Sequence, residues 1–212
     1  MCQHTTQMLG DSSNLREIAM EVNIKKIEGN WTLGYSLDKH TIRSTPIGYN
    51  EYGHMQFDTE RPEAGEALFQ LKYRSDFSQV PIIGQQLYNS FGGPFSSSSL
   101  VIPMPASKVR TRQPVTEIAR DLANRMGIPC VENLLVKTGS TPAMKDIEAR
   151  DEKVSTLVGV FKAYDVLGEG LFDVLIVDDL FDTGSSLEAA TTVLRGYSKI
   201  RNIYVATVTR KR

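Results

Sequence analysis

The sequence has few cysteines and no long apolar run, and both shortages limit the class of protein. Only two cysteines occur, Cys2 and Cys130, in dissimilar surroundings. We therefore expect no disulfide framework and a reducing compartment. The first residues lack the basic region and apolar stretch of a secretion signal. No apolar stretch approaches the length of a membrane span. These features predict a cytoplasmic protein without a membrane partner.

The sequence also lacks an excess of either charge. Its 212 residues include 24 Lys and Arg against 25 Asp and Glu, a formal net charge of -1. Proteins that act on nucleic acid usually carry a basic surplus, because phosphate neutralisation supplies much of their affinity. The balance argues against nucleic acid as the main ligand, although a local basic face that includes residues 209–212 stays open. The composition, 41% hydrophobic and 23% charged, is typical of an ordinary globular domain with an appendage.

Residues 1–62 show little regular pattern, and we predict that they form a small β-rich, hood-like lobe. Apolar side chains alternate at Trp31, Leu33, Tyr35 and Leu37. A period of two residues is typical of a half-buried strand. The core domain is expected to occupy residues 63–212 and to begin with a helix that ends near residue 73.

From residue 100 onward, short apolar strands alternate with helices. Strands are predicted over residues 100–102, 131–136, 158–164, 174–177 and 203–208. Helices are predicted over residues 82–88, 115–126 and 187–194. Such alternation predicts the α/β class, with a parallel sheet flanked by helices. The segment 174–177 is apolar at every position, which favours a central strand of that sheet.

Two adjacent carboxylates, Asp178 and Asp179, follow the predicted central strand. Ligands of open parallel sheets collect at the carboxyl ends of the strands, so the pair lies where a binding site is expected. A buried carboxylate is costly unless a partner satisfies it. A vicinal diol does so by donating a hydrogen bond from each hydroxyl, and bound Mg2+ is another such partner.

The next residues open a helix and are typical of an anion-binding turn: Asp182, Thr183, Gly184, Ser185 and Ser186. Gly184 can take positive φ and let the backbone approach a ligand. The N–H groups of such a turn lie beside the positive end of the helix and favour a phosphate. Diol acceptors followed by this turn describe a bound ribose 5-phosphate. The alternative is a helix capped by Asp182 or Thr183, which explains the turn but not two carboxylates after an apolar strand.

Residues 174–187 resemble the signature with which type I phosphoribosyltransferases bind 5-phosphoribosyl-1-pyrophosphate (PRPP), because the strand, the acidic pair and the Thr-Gly turn occur in the same order. More narrowly, residues 66–212 are similar to ComF-like proteins. That similarity is carried by residues 71–76, residues 101–105 and residues 141–161. The chain departs from the ComF pattern at three points: it lacks a four-cysteine zinc ribbon, and residues 112–115 and Met144 differ from the family's usual segments.

The resemblance implies a role for each part of the site. Asp178 and Asp179 would hold the ribose 2- and 3-hydroxyls, and residues 182–186 would hold the 5-phosphate. Mg2+ would lie on the pyrophosphate and the ribose hydroxyls, bound to the two aspartates directly or through water. The loop after the first predicted core strand contains Ala106, Ser107 and Lys108. It matches the family's pyrophosphate-binding loop in position, although an ordinary strand-to-helix connection explains it as well.

Catalytic roles are also implied by the resemblance. Residues 137–153 stand in the place of a mobile lid, where Lys145 and Arg150 would neutralise the leaving pyrophosphate, unless they are simply solvated. Asp182 would handle a proton of the acceptor and favours a purine-like base, unless it only caps the helix. Few residues follow the strand predicted at 203–208, where purine enzymes usually continue with a base-stacking segment. Four aromatic residues are alternative platforms or simply core: Trp31, Tyr35, Tyr49 and Tyr52.

Two functions from different classes follow. The first is a phosphoribosyltransferase that moves 5-phosphoribosyl from PRPP to a nitrogenous base and releases pyrophosphate. The second is a non-catalytic PRPP- or nucleotide-binding protein that acts in DNA uptake or processing, as ComF-like proteins do. The resemblance also implies a homodimer.

Overall fold

The computed structural model describes residues 19–108, 110–139 and 150–211, with the side chains of residues 150 and 151 left out. Strands and helices alternate along most of this range. In chain order the elements are β1 (Lys25–Lys26), β2 (Leu33–Lys39), β3 (Arg43–Tyr49), β4 (Met55–Glu60), α1 (Glu63–Tyr73), α2 (Gln79–Phe91), β5 (Leu100–Pro103), α3 (Pro114–Met126), β6 (Leu135–Lys137), α4 (Arg150–Val158), β7 (Phe161–Ala163), β8 (Phe172–Phe181), α5 (Ser185–Arg195) and β9 (Ile200–Arg210).

A five-stranded sheet forms the centre of the molecule, in the order β1-β2-β9-β8-β5. The strands β2, β9, β8 and β5 are parallel, and only β1 runs antiparallel to its neighbour β2. Side chains of β8 alternate between the two faces of this sheet. Leu175 and Val177 pack into one apolar cluster, and Val174 and Ile176 pack into the other.

Helices cover both faces of the central sheet. The first cluster is filled from α1, α2 and α3, with Leu68, Ile83 and Ile118 fully buried. The second cluster is filled from α4 and α5, with Leu157 and Leu187 buried. The predicted α/β class, with a parallel sheet flanked by helices, is therefore confirmed.

The strand β2 lies in the central sheet and not in a separate lobe. It pairs along its length with β9, from Leu33 opposite Tyr204 to Lys39 opposite Arg210. Both of its faces are covered, so Ser36 and Leu37 are fully buried. The predicted strand is present at residues 33–39, but its partner is β9, which lies far along the chain.

A separate two-stranded hairpin, β3 with β4, follows β2. Its side chains are almost all exposed, Tyr49 by 72% and Tyr52 by 74%. The backbone N–H of Ile42 donates to the carbonyl of Glu60 at 2.9 Å and closes the base of the hairpin. For residues 43–60 the predicted division into lobe and core stays a prediction.

Two other predicted strands need correction. Residues 131–136 and 158–164 were expected as full strands, but only β6 and β7 form, and they pair antiparallel with each other outside the central sheet. The helix α4 continues to Val158 and shortens the second of them. At the start of the first segment an isolated bridge pairs Cys130 with Val101 of β5, and the N–H of Val131 donates to the carbonyl of Val101 at 2.8 Å. No helix among the described residues is long and apolar enough to cross a membrane.

Candidate functional site

The candidate site lies at the carboxyl end of the central sheet, where β5 ends before its neighbour β8 does. The last residue of β5, Pro103, pairs with Val177, but β8 continues to Phe181 and pairs there, of the described strands, only with β9. The acidic pair therefore lies inside β8 and beyond the end of β5, whereas the sequence predicted that the strand ends at Val177. Among the described residues, no strand pairs with the β5 side of β8 from Asp178 onward.

The two carboxylates of the pair have different partners. Asp179 forms an ion pair with Lys72 of α1, with 2.6 Å between Nζ and Oδ2, and both side chains are largely shielded, at 21% and 17% exposure. Asp178 accepts a hydrogen bond from the backbone N–H of Asp179 at 2.8 Å. Within the described part of the chain, Asp178 has no ion-pair partner. One carboxylate of the pair is thus neutralised by the protein and the other is not.

The surroundings of Asp178 favour its neutral form. Burial, and next the charge of Asp179, raise the pKa of the Asp178 carboxyl to about 8. The N–H of Asp179 and the charge of Lys72 act in the opposite direction and do not cancel the effect. Hydroxyl donors or a cation would stabilise the ionised form.

The turn after β8 leaves the start of α5 only weakly capped, because the N–H of Ser185 donates to Oγ1 of Thr183 at 3.5 Å. Gly184 has φ of +83° and occupies the N-cap position of α5, with no side-chain hydrogen bond to the cap. The alternative in which Asp182 or Thr183 occupies the N-cap is therefore wrong. The hydroxyls of Thr183 and Ser185 lie 3.0 Å apart. Because the first N–H groups of a helix have no acceptor within it, the turn and both hydroxyls can receive an anion.

The side chain of Asp182 lies at the surface, 46% exposed, in an ion pair with Lys211. The exposed Ser186 follows in the first turn of α5. Their predicted roles, proton transfer for Asp182 and phosphate binding for both, stay predictions.

The loop after β5 also leaves from this edge. Met104 donates its N–H to the carbonyl of Val177 at 2.8 Å, which ties the start of the loop to β8. The three predicted pyrophosphate-binding residues that follow are exposed: Ala106, Ser107 and Lys108. Lys145 lies outside the described residues, and of Arg150 only the backbone, at the start of α4, is described.

Sequence reasoning missed several basic residues at the site. Lys72 was noticed only as part of residues 71–76, and Arg210 and Lys211 only as part of a basic ending. A cavity of about 450 Å³ lies beside the turn, with Lys25 and Lys26 in its wall. The local sequence does not predict these contacts, because strand pairing and helix packing bring the basic residues together from distant segments.

The four aromatic residues proposed as a base platform divide into two groups. Trp31 is buried and donates its indole N–H to the carbonyl of Ile27 at 3.0 Å. Tyr35 stacks on Phe91 with 5.7 Å between ring centroids. These two are core residues, whereas Tyr49 and Tyr52 are exposed on the hairpin.

The donor set limits the kind of metal site. No group of three or more His, Cys, Asp or Glu side chains that could hold a metal occurs among the described residues. Magnesium in phosphate sites is usually held by one or two carboxylates together with substrate oxygens. Asp178 and Asp179 fit such a shared site, but not a site made by the protein alone.

Solved structures of phosphoribosyltransferases are similar to this chain at low identity. The orotate phosphoribosyltransferase of Aeropyrum pernix is 16% identical, covers 81% of this chain and 88% of its own, and has a TM-score of 0.43. An adenine phosphoribosyltransferase from Thermoanaerobacter pseudethanolicus is 15% identical, with 80% and 95% covered and a TM-score of 0.44. The adenine phosphoribosyltransferase of Saccharomyces cerevisiae, solved with adenine, is 16% identical. The match covers 79% of this chain and 83% of that enzyme's chain, with a TM-score of 0.43. No protein-family model matches the chain, and no curated protein matches it significantly. With TM-scores this low, we base the function on the residues of the site.

Proposed function

We propose that this protein is a phosphoribosyltransferase that binds PRPP across the end of β8 and the start of α5. The observation that carries the proposal is Asp178, a carboxyl group with no ion-pair partner among the described residues, a few residues before the weakly capped start of α5 at Gly184. Each of these features is unfavourable in the free protein, and a ribose phosphate satisfies both at once. The match of residues 174–187 to the PRPP signature supports the same ligand.

The ribose hydroxyls are proposed to donate to the acidic pair. Asp178 offers a carboxylate that no cation of the described residues occupies. Lys72 occupies only Oδ2 of Asp179, and Oδ1 can therefore accept a hydroxyl. The 5-phosphate would accept from the N–H groups and hydroxyls of residues 183–186. Bound Mg2+ would be held by Asp178 and Asp179 together with ligand oxygens and would supply charge neutralisation for the pyrophosphate.

The reaction exchanges one bond at the anomeric carbon. Its bond to the pyrophosphate oxygen breaks with the electron pair leaving on pyrophosphate, and a bond to an acceptor nitrogen forms. The proton lost by that nitrogen would pass to Asp182. The loop with Lys108, together with Lys145 and Arg150, would bind the leaving pyrophosphate. A purine-like base is the acceptor that Asp182 favours.

Calorimetry with Mg-PRPP tests the ligand. We expect Asp178→Asn to weaken binding by about 1–3 kcal/mol, as for the loss of a hydrogen bond to a charged group. Asp165→Asn is the matched control, because Asp165 is an exposed aspartate that pairs with Lys199 and has no part in the site. Equal affinity in wild type and Asp178→Asn would exclude the proposed diol contact.

Pyrophosphate release from PRPP across a panel of nucleobases tests the reaction. The ion pairs of Asp179 with Lys72 and of Asp182 with Lys211 favour a second candidate, a PRPP-binding protein without catalysis that acts with DNA. Binding of PRPP without release on any base, together with DNA retention that changes with PRPP, would select that candidate. Release on one base would select the enzyme.

A further inference from the structure

The lining of the cavity beside the turn contains more basic than acidic side chains. Four of them come from three separate elements, β1, α4 and β9: Lys25, Lys26, Lys153 and Arg210. Thr183 and Ser185 of the turn complete one wall. The volume of about 450 Å³ is within the range of small-molecule sites.

The acidic residues of the lining do not balance these charges. Glu28 forms an ion pair with Lys26 at 3.0 Å, and Asp182 pairs with Lys211 outside the lining. Within the described part of the chain, Lys25, Lys153 and Arg210 have no ion pair. The described residues therefore leave part of the positive charge of the cavity without an ion-pair partner.

Arg210 is the most informative of the three cations, because it is only 2% exposed. Its guanidinium donates from Nη1 to the carbonyl of Asn23 at 2.8 Å and from Nη2 to Oδ1 of Asn23 at 3.3 Å. Its buried Nε has no hydrogen-bond partner among the residues that the structure describes. Burial lowers the pKa of Arg210, and the charge of Asp38 only partly opposes this effect.

A buried cation without a counter-ion is costly, and an anion nearby offsets that cost. We propose that this cavity binds a phosphate ester, with Lys25, Lys153 and Arg210 as its counter-charges. The phosphate belongs either to the sugar substrate or to a separate nucleotide. If the phosphate is that of the sugar substrate, the proposal rests on the proposed function, because Thr183 and Ser185 belong to both the cavity and the turn. The positive charge of the cavity does not depend on the proposed function.

Calorimetric titration with inorganic phosphate, at low and high salt, tests the cavity. The double variant Lys25→Gln/Lys153→Gln is expected to bind phosphate at least about tenfold more weakly and with a smaller salt dependence, since ion pairs are screened by salt. Lys162→Gln, which changes an exposed lysine of β7 outside the cavity, should bind as the wild type does. These variants avoid Arg210, whose guanidinium holds Asn23. Unchanged phosphate affinity in the double variant would overturn the proposal.

Competition identifies the source of the phosphate. If ribose 5-phosphate displaces inorganic phosphate, the cavity holds the phosphate of the sugar substrate. If adenosine 5′-monophosphate still binds when ribose 5-phosphate is saturating, and the double variant loses this binding, the cavity holds a second phosphate ester. Phosphate binding that depends on the lysines, in a protein without affinity for PRPP, would refute the proposed function alone. PRPP binding that depends on Asp178 but not on the lysines would refute the cavity alone.

Discussion

Aspartates near the two ends of β8 have opposite effects on stability. Asp173 is buried and receives two hydrogen bonds from Arg201, at 2.8 and 2.9 Å, and a third from Asn202. The Arg201 contact holds the pKa of Asp173 below its usual value. Asp178 lacks such a partner, and its pKa is raised. The strand thus combines an aspartate whose ionised form is stabilised in the fold with one whose ionised form is disfavoured.

Replacing Asp178 should stabilise the free protein at alkaline pH. With its pKa raised from 3.8 to about 8, the group favours the folded state when protonated, and that contribution is lost as the pH rises through this window. Asn cannot ionise, so Asp178→Asn should gain on the order of 1–3 kcal/mol over wild type near about pH 9. The advantage should fade toward about pH 4. Urea unfolding at several pH values measures it.

The control for this experiment is Asp173→Asn. Its lowered pKa gives stability that is present above the unfolded value and is lost in acid. That variant should therefore be less stable than wild type at neutral pH. A loss of stability for both variants at alkaline pH would contradict the unpaired state of Asp178.

The ion pair between Lys72 and Asp179 should show strong energetic coupling. Each single variant, Lys72→Met or Asp179→Asn, removes the partner of a largely shielded group, and the double variant removes both. Unfolding free energies of this cycle should give a coupling of about 1–3 kcal/mol. The exposed pair of Lys26 and Glu28, at 54% and 79% exposure, should give less than about 1 kcal/mol. Similar coupling in both pairs would show that shielding does not strengthen the first.

The sequence predicts the parts of the site that are contiguous. Asp178, Asp179 and Gly184 follow one another along the chain, so an apolar strand and a turn motif suffice to place them. Lys72 and Arg210 lie on other elements, and their positions depend on the packing of α1 and the register of β9. Nothing in the local sequence predicts that Lys72 would take one of the two carboxylates.

At the scale of elements, the hairpin β3–β4 contrasts with the helices. An isolated two-stranded hairpin is marginally stable, and this one keeps Tyr49, Tyr52 and Phe57 exposed. It connects β2 to α1 along the chain, and a hydrogen bond from the N–H of Ile42 to the carbonyl of Glu60 closes its base. The packing of the core therefore does not depend on most of its length.

Replacing residues 44–59 by a short Gly-Ser linker should change the unfolding free energy by less than about 1 kcal/mol, because loop closure costs little. Leu37→Ala in the neighbouring β2 should instead cost about 2–5 kcal/mol, since it opens a cavity in the core. Urea denaturation compares the two. Equal losses would mean that the hairpin stabilises the core.

Element boundaries were predictable where local chemistry determines them. Pro114 opens α3, and Gly127 ends it at φ of +69°; proline is favoured at the first helical position and glycine just after the last one. The periodicity of β2 revealed a strand but not its place, because parallel pairing with β9 joins residues that are far apart. For the same reason β6 and β7 were assigned to the wrong sheet.

At the scale of the whole molecule, the two apolar clusters share one sheet. Trp31, the single tryptophan, belongs to the second cluster. Because neither helical layer can leave without exposing the sheet to water, we expect one cooperative transition in urea. Trp31 fluorescence and far-ultraviolet circular dichroism should then give coincident curves. Separate midpoints would show that the layers unfold independently.

The order of the strands also affects how a nascent chain behaves. A ribosome makes β9 after every other described strand, yet β9 lies between β2 and β8. Until it emerges, these two strands lack their common neighbour and present open backbone edges. Such edges readily pair with other polypeptides. The interval between synthesis of β8 and synthesis of β9 is therefore when newly made copies are most prone to aggregate with one another.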